Sequence, residues 1–486
     1  PRGVMEYTDV YGTLAWFMRR GMPQLMMSRL DADVIRRLSP GNVVWSEPSP
    51  SMENLDMSAD WIYSYSPWSC LYFLRHYEMV PRAAKVKYMP FLAMGYWSPD
   101  FMEVTTPHPT QKDPESGKNV PTMMCQTADE LAIKSMMCIG GSSAESLSFF
   151  SVNWCWGQST TNGVLHEKGL PLVLCPGWRK YGVAEKDAPE RFGAFVRERF
   201  LPAATLLRGI PAVKSPMAIL LPKEIDYSGE FWWPRVTYIR QLGPLLAKRP
   251  VPFDMLSDGD FTLENLSRYD YIFYPQLNCV TPGHDKVLRA LPATTKLLHD
   301  DNTFRAQKEL AYPNWEHVKG LSMHFPADEK NLDIPVDAWL GPKVGDLRKK
   351  LYAWSEQDGT NAFTLVKEFK GVHYVTVINN LRREGGCPQT DIFTNAWYRP
   401  MGAPQTIVTH FPRNGVIYAF NSGGSTVKPD SSSTVKLPYT SAESRVFCVY
   451  PRELGKPALA IAGRPQAGGE AKLAVAINDI DGKPAP

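Results

Sequence analysis

Acidic and aromatic residues follow several short apolar stretches in the first third of the sequence. Glu47 comes directly after one predicted strand, and Glu6 could close another. The accompanying candidates for binding a substrate are Asp60, Tyr63, Tyr96, Trp97, Asn153, Trp154 and Trp156. Two carboxyl groups can hydrolyse a glycosidic bond when an apolar setting keeps one protonated while the other stays ionised. Because sugar rings stack on aromatic faces, this mixture favours a carbohydrate site over a phosphate site, which would contain glycine-rich turns or Arg and Lys.

Each candidate also has a purely structural explanation. Glu47, between Trp45 and Pro48, could cap a helix or form a loop salt bridge. Glu6 could be a surface residue, and Asp60 could simply orient a neighbouring loop. Core packing explains the large aromatic side chains equally well. That alternative applies to Trp97, Trp154 and Trp156.

The candidates need elements that bring them together. Over residues 1–205 the succession of strand, polar or aromatic loop and helix recurs about four times, which predicts the C-terminal part of a (β/α)8 TIM barrel. In such barrels the chemistry lies on loops that follow the carboxyl ends of the strands. A helical spacing covers Phe17–Leu38, and the predicted strands are Asn42–Trp45, Asp60–Tyr65, Lys87–Met94 and Ser146–Val152.

Over residues 206–330, short apolar strands alternate with helix-length segments, which predicts a doubly wound, flavodoxin-like domain with a parallel sheet. Helical spacing covers Trp232–Leu246, and the predicted strands are Met217–Pro222, Val251–Leu256, Tyr271–Pro275 and Lys296–Asp300. Neither a G-x-G-x-x-G segment nor a P-loop occurs, so nucleotide binding is not indicated. Cys279 follows a strand with His284 nearby, but it lacks the small neighbours of a nucleophile elbow. His299, Asp300 and Asp301 could ligate a metal, but without a second nearby His a loop is favoured, so no metal or other cofactor is predicted.

From about Val366 the apolar pattern changes to period two, which predicts an antiparallel β-sandwich over residues 340–452. The predicted strands are His373–Asn380, Thr406–Phe411, Val416–Phe420, Thr434–Leu437 and Arg445–Tyr450. Residues 453–486 look like the first strands of a further β module, Ig-like and truncated. Since the chain also begins at Pro1 rather than Met, we expect it to be a piece of a longer polypeptide.

Composition narrows the possible partners. The 486 residues are enough for about three domains, and the formal net charge of +3 gives no reason to expect a nucleic acid or a membrane surface. No apolar run is long enough to span a membrane. The eight cysteines are scattered without a C-x-x-C pair, and several lie in apolar runs, where buried free thiols are favoured; one or two disulfides remain open.

Several segments together resemble the glycoside hydrolase family 42 β-galactosidases. Lys87–Pro99 is similar to the seventh barrel strand of that family, and Gly141–Gly163 to the eighth, which ends in Trp and Gln. Ala218–Leu221 and Tyr269–Pro275 resemble its amidotransferase-like trimerisation domain. The resemblance covers most of the chain. It implies a catalytic barrel, a trimerising domain and a small β-domain, with hydrolysis of a β-linked sugar substrate by a secreted or periplasmic homotrimer.

One segment departs from the family. Its nucleophile is a Glu at the end of the seventh strand, whereas Met94–Trp97 contains no carboxylate. The acid/base Glu of the family belongs to the fourth strand, which would lie at or before the first residues of this chain. A second hypothesis therefore stays open, that of a non-catalytic carbohydrate-binding or assembly protein on a degenerate barrel.

Overall fold

The protein is represented by a computed structural model. It describes residues 3–4, 34, 37–38, 45–46, 57–62, 67–93, 128–150, 188–221, 242–243, 245–274, 279–301, 312–321, 329–381, 402–420, 426–430, 433–462 and 472–485. The α-helices of this part include α1 (Pro67–Ala84), α2 (Ala128–Gly141), α3 (Ala188–Phe195), α4 (Leu201–Leu207), α5 (Leu263–Leu266), α6 (Pro282–Arg289), α7 (Glu329–Leu340) and α8 (Val344–Arg348). A π-helical turn, Val196–Phe200, joins α3 to α4.

The first sheet has four parallel strands that lie side by side in the order of the chain. They are Trp45–Ser46, Met57–Ile62, Lys87–Ala93 and Ser148–Phe150. Helix α1 connects the second strand to the third, and α2 connects the third to the fourth. Successive parallel neighbours with intervening helices are the repeating arrangement of (β/α)8 barrels.

The second strand of this sheet corrects a predicted boundary. The sequence predicted Asp60–Tyr65, but the strand is Met57–Ile62. Its first residues have weak intrinsic β-propensity and are held in the sheet because they pair with Lys87–Met89 of the next strand. Of the predicted helix Phe17–Leu38, only Val34, Arg37 and Leu38 are described, and they are helical and exposed.

The second sheet has five parallel strands. In spatial order they are Phe253–Leu256, Met217–Leu220, Tyr271–Phe273, Lys296–His299 and Trp315–His317. This is the flavodoxin-like strand order 2-1-3-4-5. The first four were predicted, and Met217–Leu220 is buried at every position, as a strand covered on both faces must be. The fifth was missed because it has three residues, each only half-buried.

Two antiparallel sheets follow. One contains Trp354–Ser355, Gln405–His410 and Thr434–Tyr439. The other contains, in spatial order, Ala362–Phe369, Val372–Asn379, Ser444–Tyr450, Val416–Ala419 and Thr426–Val427. Buried side chains of both sheets form one hydrophobic cluster, which includes Val375, Val377, Ile407, Val435 and Phe447. Beyond them, Ala458–Ala462 and Lys472–Ala476 form a separate hairpin.

The five-stranded antiparallel sheet is covered on its other face by α2. Every residue of α2 is buried. Gly140 and Gly141 allow the close approach, since a Cβ atom at Gly140 would lie 3.1 Å from Thr376 Cβ and one at Gly141 would lie 3.4 Å from Leu365 Cδ1. Because Val372–Asn379 is enclosed from both sides, its side chains are buried almost without alternation.

Helix α1 joins the first sheet to the second. Arg82 Nη2 donates to Met255 O at 2.7 Å and to Asp260 Oδ2 at 3.0 Å. At the other end of α1, Trp68 Nε1 donates to Gly359 O in the loop before Ala362–Phe369. Helix α1 therefore contacts all three groups of sheets.

The sequence also led to expectations about buried cysteines and about membrane-spanning segments. Cys70, Cys138 and Cys448 are buried and outside any disulfide, as predicted for cysteines in apolar runs. Within the ranges given above, no helix is both long and apolar enough to cross a bilayer.

The packing of Tyr72 on Gly243 can be tested by substitution. A Cβ atom at Gly243 would overlap the ring of Tyr72, which is 1% exposed and enclosed by the core. We expect Gly243→Ala to lower the free energy of unfolding by roughly 1–3 kcal/mol through overpacking. Urea denaturation followed by fluorescence measures the change.

Gly345→Ala is the matched control. Gly345 lies in α8, and a Cβ atom there would have nothing within 4 Å. Alanine is the better helix former by about 0.5–1 kcal/mol, so this variant should be as stable as the wild type or slightly more stable. Equal unfolding midpoints for the two variants would contradict the close approach at Tyr72.

Candidate functional site

The carboxyl ends of the first sheet are where the sequence predicts chemistry. Because the four strands are parallel neighbours, Ser46, Ile62, Ala93 and Phe150 all end at one edge of the sheet. Asp60 does not open its strand as predicted. It lies inside Met57–Ile62, opposite Pro90 of the neighbouring strand. The remaining candidates lie outside the described residues: Glu6, Glu47, Tyr63, Tyr96, Trp97, Asn153, Trp154 and Trp156.

A cluster of His and Asp occupies the carboxyl ends of two strands in the second sheet. His317 Nε2 lies 2.5 Å from Asp301 Oδ1, which also accepts a 3.2 Å hydrogen bond from Gly320 N. The ring of His299 stacks parallel to that of His317 with centroids 5.3 Å apart. Burial, opposed by a hydrogen bond to Asp300 O, lowers the pKa of His299 to about 4. At neutral pH the cluster therefore holds an uncharged imidazole beside a His–carboxylate pair.

From the sequence we expected no second His near His299, and this expectation was wrong, because His317 lies beside it. Parallel pairing of Leu297–His299 with Trp315–His317 brings the two imidazoles together. The cluster nevertheless lies between the last two strands, whereas sheets of this order bind ligands where the strand order reverses. No group of three or more His, Cys, Asp or Glu side chains in the described part of the chain is arranged to hold a metal ion.

The sequence did not favour Cys279 and His284 as a catalytic thiol and its base. Cys279 lies in the two-residue strand Cys279–Val280, which pairs in parallel with Gly3–Val4. His284 belongs to α6, where its ring stacks on Phe261 with centroids 3.7 Å apart. The His284 ring therefore packs against an aromatic side chain, that of Phe261.

A buried carboxylate organises the opposite, amino-terminal edge of the second sheet. Asp254 accepts hydrogen bonds from Ser215 N, Ser215 Oγ and Tyr269 Oη, each at 3.1 Å. Arg75 of α1 lies 3.8 Å from Asp254 Oδ1. Burial and the neighbouring Asp254 raise the pKa of Tyr269. Since four polar groups surround it, Asp254 is a structural carboxylate that binds α1 to the sheet rather than a group directed at a substrate.

A buried lysine lies where α1, α4 and the antiparallel sheet meet. Lys367 is 1% exposed, and its Nζ donates to Leu207 O at 2.9 Å. Burial lowers the pKa of Lys367 to about 7; the charge of Glu78 opposes this shift and that of Arg75 adds to it. The sequence analysis did not single out this residue, although alternation within Ala362–Phe369 places it on the face of Phe363 and Leu365.

A fully buried ion pair lies inside α2. Lys134 Nζ is 3.1 Å from Glu130 Oε1, and neither side chain is exposed by more than 1%. One position earlier, Asp129 accepts hydrogen bonds from Arg191 and Ser441. These charged side chains pair with other protein groups. The sequence of the helix alone did not indicate that they are buried.

Comparison with known proteins finds only distant likenesses. No protein-family model matches the chain, and no curated protein matches it. A β-galactosidase from Bacillus circulans sp. alkalophilus is 10% identical, with a TM-score of 0.44 over 86% of this chain and 65% of that chain. A rhamnosidase from Novosphingobium sp. PP1Y is 12% identical, with a TM-score of 0.38 over 86% of this chain and 38% of that chain.

A third solved structure is a trehalose-6-phosphate hydrolase from Bacillus licheniformis, 9% identical, with a TM-score of 0.23 over 82% of this chain and 52% of that chain. All three names are those of carbohydrate-cleaving enzymes. The chain spans less than two thirds of the length of each of these proteins. Their TM-scores are too low for the likenesses to support an argument about this chain.

The lowered pKa of Lys367 predicts a pH dependence of stability. The pKa of about 7 in the folded protein lies below the ordinary lysine value of 10.5, so the unfolded chain binds more protons between these values. Stability should therefore rise with pH over this window, by up to about 1.4 kcal/mol per pH unit from this group. In Lys367→Met that contribution is lost, and urea denaturation at several pH values between about 7 and 10.5 measures the difference in slope.

Lys436→Met is the control for this measurement. Lys436 is exposed on the strand Thr434–Tyr439 of the same sandwich. Its replacement should leave the slope of stability against pH as in the wild type. If Lys367→Met also keeps the wild-type slope, Lys367 does not titrate as burial predicts.

Proposed function

We propose that the protein is carbohydrate-active and hydrolyses β-linked glycosides, in the manner of a β-galactosidase, with a pair of carboxyl groups. One observation supports this most. The four strands that precede the acidic and aromatic candidates are parallel neighbours ending at one edge of the first sheet. Loops after such ends carry the catalytic groups in (β/α)8 enzymes.

The proposed roles follow from the chemistry of glycosidic bonds. Glu47 follows Trp45–Ser46 directly and is the best candidate for one carboxyl group; Glu6 is the candidate for the other. A separation of about 5–5.5 Å would give retention of configuration, and about 6.5–9.5 Å inversion. Asp60, Tyr63, Tyr96, Trp97, Asn153, Trp154 and Trp156 would bind and orient the sugar.

The proposal includes the domain organisation predicted from the sequence. Residues 1–205 would be the C-terminal part of the barrel, residues 206–330 the amidotransferase-like domain and residues 340–452 the β-sandwich. The hairpin Ala458–Ala462 with Lys472–Ala476 would begin a further β module over residues 453–486. A secreted or periplasmic location is part of the same proposal.

A second candidate function is non-catalytic carbohydrate binding or assembly on the same scaffold. The strand Lys87–Ala93 ends at Ala93, and Met94–Trp97 follows without a carboxylate. In the resembled family this is where the nucleophile stands. An aromatic site that has lost one carboxyl group could still bind sugars but would not cleave them.

Turnover of a panel of aryl β-glycosides and polysaccharides tests the enzymatic proposal. If Glu47 takes part in proton transfer, Glu47→Gln should lower kcat/KM by roughly 10²–10⁴-fold, because glutamine keeps the shape but cannot exchange the proton. Glu6→Gln tests the second carboxyl group in the same assay.

Glu453→Gln is a suitable control, because Glu453 is exposed and lies far along the chain from the first sheet. Wild-type turnover in both Glu47→Gln and Glu6→Gln would remove these residues from the mechanism. Sugar binding by calorimetry without turnover, weakened by Trp97→Ala, would favour the non-catalytic candidate.

We further propose that the second sheet and its helices help to form a closed homotrimer. The sequence at the strand ends of that sheet contains no phosphate loop, and contacts between subunits are the role that we assign to this part of the chain. Light scattering of the full-length protein at micromolar concentration should give about three times the chain mass of 54.7 kDa. A single-chain mass would contradict oligomerisation without bearing on the glycosidase proposal.

A further inference from the structure

Two imidazole rings lie face to face where the last two strands of the second sheet end. The strands pair in parallel, with His299 opposite His317. The ring planes differ by 2°, and the ring centroids are 5.3 Å apart. The ring of Trp315 also packs on His299, with centroids 4.5 Å apart. His299 is 3% exposed, whereas the side chain of His317 is 28% exposed. The two rings therefore differ in their access to water.

A carboxylate ties the more exposed ring to the turn that follows the last strand. Asp301 Oδ1 lies 2.5 Å from His317 Nε2 and accepts a hydrogen bond from Gly320 N at 3.2 Å. The φ of Gly320 is +82°, which favours glycine at this position of the turn. The backbone closes the same turn, because Asp301 N donates to Leu321 O at 2.8 Å. Asp301 therefore holds both the end of the strand and the turn after it.

We propose that His299, His317 and Asp301 form an acid-sensitive latch, which holds the edge strand Trp315–His317 in the second sheet at neutral pH and releases it in acid. The physical reason is that the stacked pair accommodates one positive charge but not two. A charge on His317 meets the carboxylate of Asp301. A second proton, on His299, would place two like charges face to face in a site removed from water. The inference does not depend on a glycosidase activity.

Titratable groups approach the latch from each neighbouring element of the described part of the chain. The charges that change the pKa of His299 are that of His317, which lowers it, and that of Asp301, which raises it. Asp301 is already engaged by His317 and by Gly320. Helix α6 shares a hydrophobic cluster with Trp315, and its Asp285 accepts hydrogen bonds from Arg289 and Tyr312. The groups on the neighbouring elements are Asp300 beside His299, Tyr274 after the strand Tyr271–Phe273, Tyr312 and Lys319 on the segments that flank the last strand, and His284, Asp285 and Arg289 of α6.

Burial sets the direction of the response to pH. It lowers the pKa of His299 from the ordinary 6.5 to about 4, against a hydrogen bond to Asp300 O and together with the charge of His317. When the last strand leaves the sheet, His299 meets water and its pKa returns toward the ordinary value. Between these two values the released form binds more protons than the closed form. Acid therefore favours release, and the latch closes again as the pH rises.

Release of the last strand would also loosen α7. Glu316, the middle residue of that strand, accepts a hydrogen bond from Trp339 Nε1 of α7 at 2.5 Å. Lys343 Nζ, just after α7, lies 3.3 Å from the same oxygen. Successive residues of a strand face opposite sides of the sheet, so one strand connects the latch on one face to α7 on the other. Its departure would leave the backbone edge of Lys296–His299 open for pairing.

Hydrogen–deuterium exchange of the full chain tests the proposal. Mass spectrometry measures exchange at about pH 7 and about pH 5, with exposure times scaled to the chemical exchange rate at each pH. We expect peptides that cover Trp315–Leu321 to lose protection at the lower pH, with up to about tenfold more opening per pH unit. Peptides that cover Met217–Leu220, inside the same sheet, should keep their protection. Equal protection of Trp315–Leu321 at both pH values, or a loss shared by the whole sheet, would overturn the proposal.

Two glutamine substitutions show whether His299 is the group that responds. His299→Gln keeps a hydrogen-bonding side chain but cannot take up the proton, so exchange in Trp315–Leu321 should be the same at both pH values. His410→Gln is the control, because His410 also stacks on a tryptophan, Trp354, and lies 3.4 Å from a carboxylate, Glu356, but belongs to the sandwich. This control should retain the wild-type response. An acid response that persists in His299→Gln would contradict the latch. If that variant fails to fold, the wild-type comparison alone decides.

Discussion

Helix α2 is covered by protein on every side, and much of the remaining architecture follows from what covers it. Its charged residues cannot reach water, so each needs a partner inside the protein. Glu130 and Lys134 pair within the helix, and Asp129 accepts hydrogen bonds from Arg191 of α3 and Ser441 of the sandwich. The contacts of Asp129 bind two other parts of the chain, α3 and the sandwich, to one helix terminus. Removing one partner alone would leave a buried charge uncompensated, which typically costs about 3–5 kcal/mol.

The same burial explains how the first, the second and the five-stranded antiparallel sheet share one large hydrophobic cluster. The face of the five-stranded antiparallel sheet that does not meet its partner sheet packs on α2, and α2 packs on α1. Helix α1 then reaches the second sheet through the hydrogen bonds of Arg82 and through Arg75 beside Asp254. A single hydrophobic cluster therefore includes residues of α1, α2, the second sheet and the sandwich. The elements beside the candidate site are therefore supported by the second sheet and by the five-stranded antiparallel sheet.

Buried polar groups concentrate at these junctions, where they hold elements in register. Lys367 donates to the carbonyl at the end of α4, and Asp254 gathers Ser215 and Tyr269 at the edge of the second sheet. The His299–His317 stack is a further case, since its neutral imidazole is kept uncharged by burial. The proposed sugar site would instead use the segments that follow the strands of the first sheet, and a rigid scaffold beneath such segments is what catalytic positioning requires.

The sequence by itself determined the elements whose apolar pattern is local. Met217–Leu220 was evident as a short apolar run, and Gln405–His410 as an alternating strand, because burial of one strand face is visible in period two. It also indicated the acidic and aromatic candidates, which remain predictions. Tertiary structure alone decided what depends on pairing between distant segments: where Met57–Ile62 begins and which imidazole faces His299. These contacts join residues far apart in the chain, so no local period encodes them.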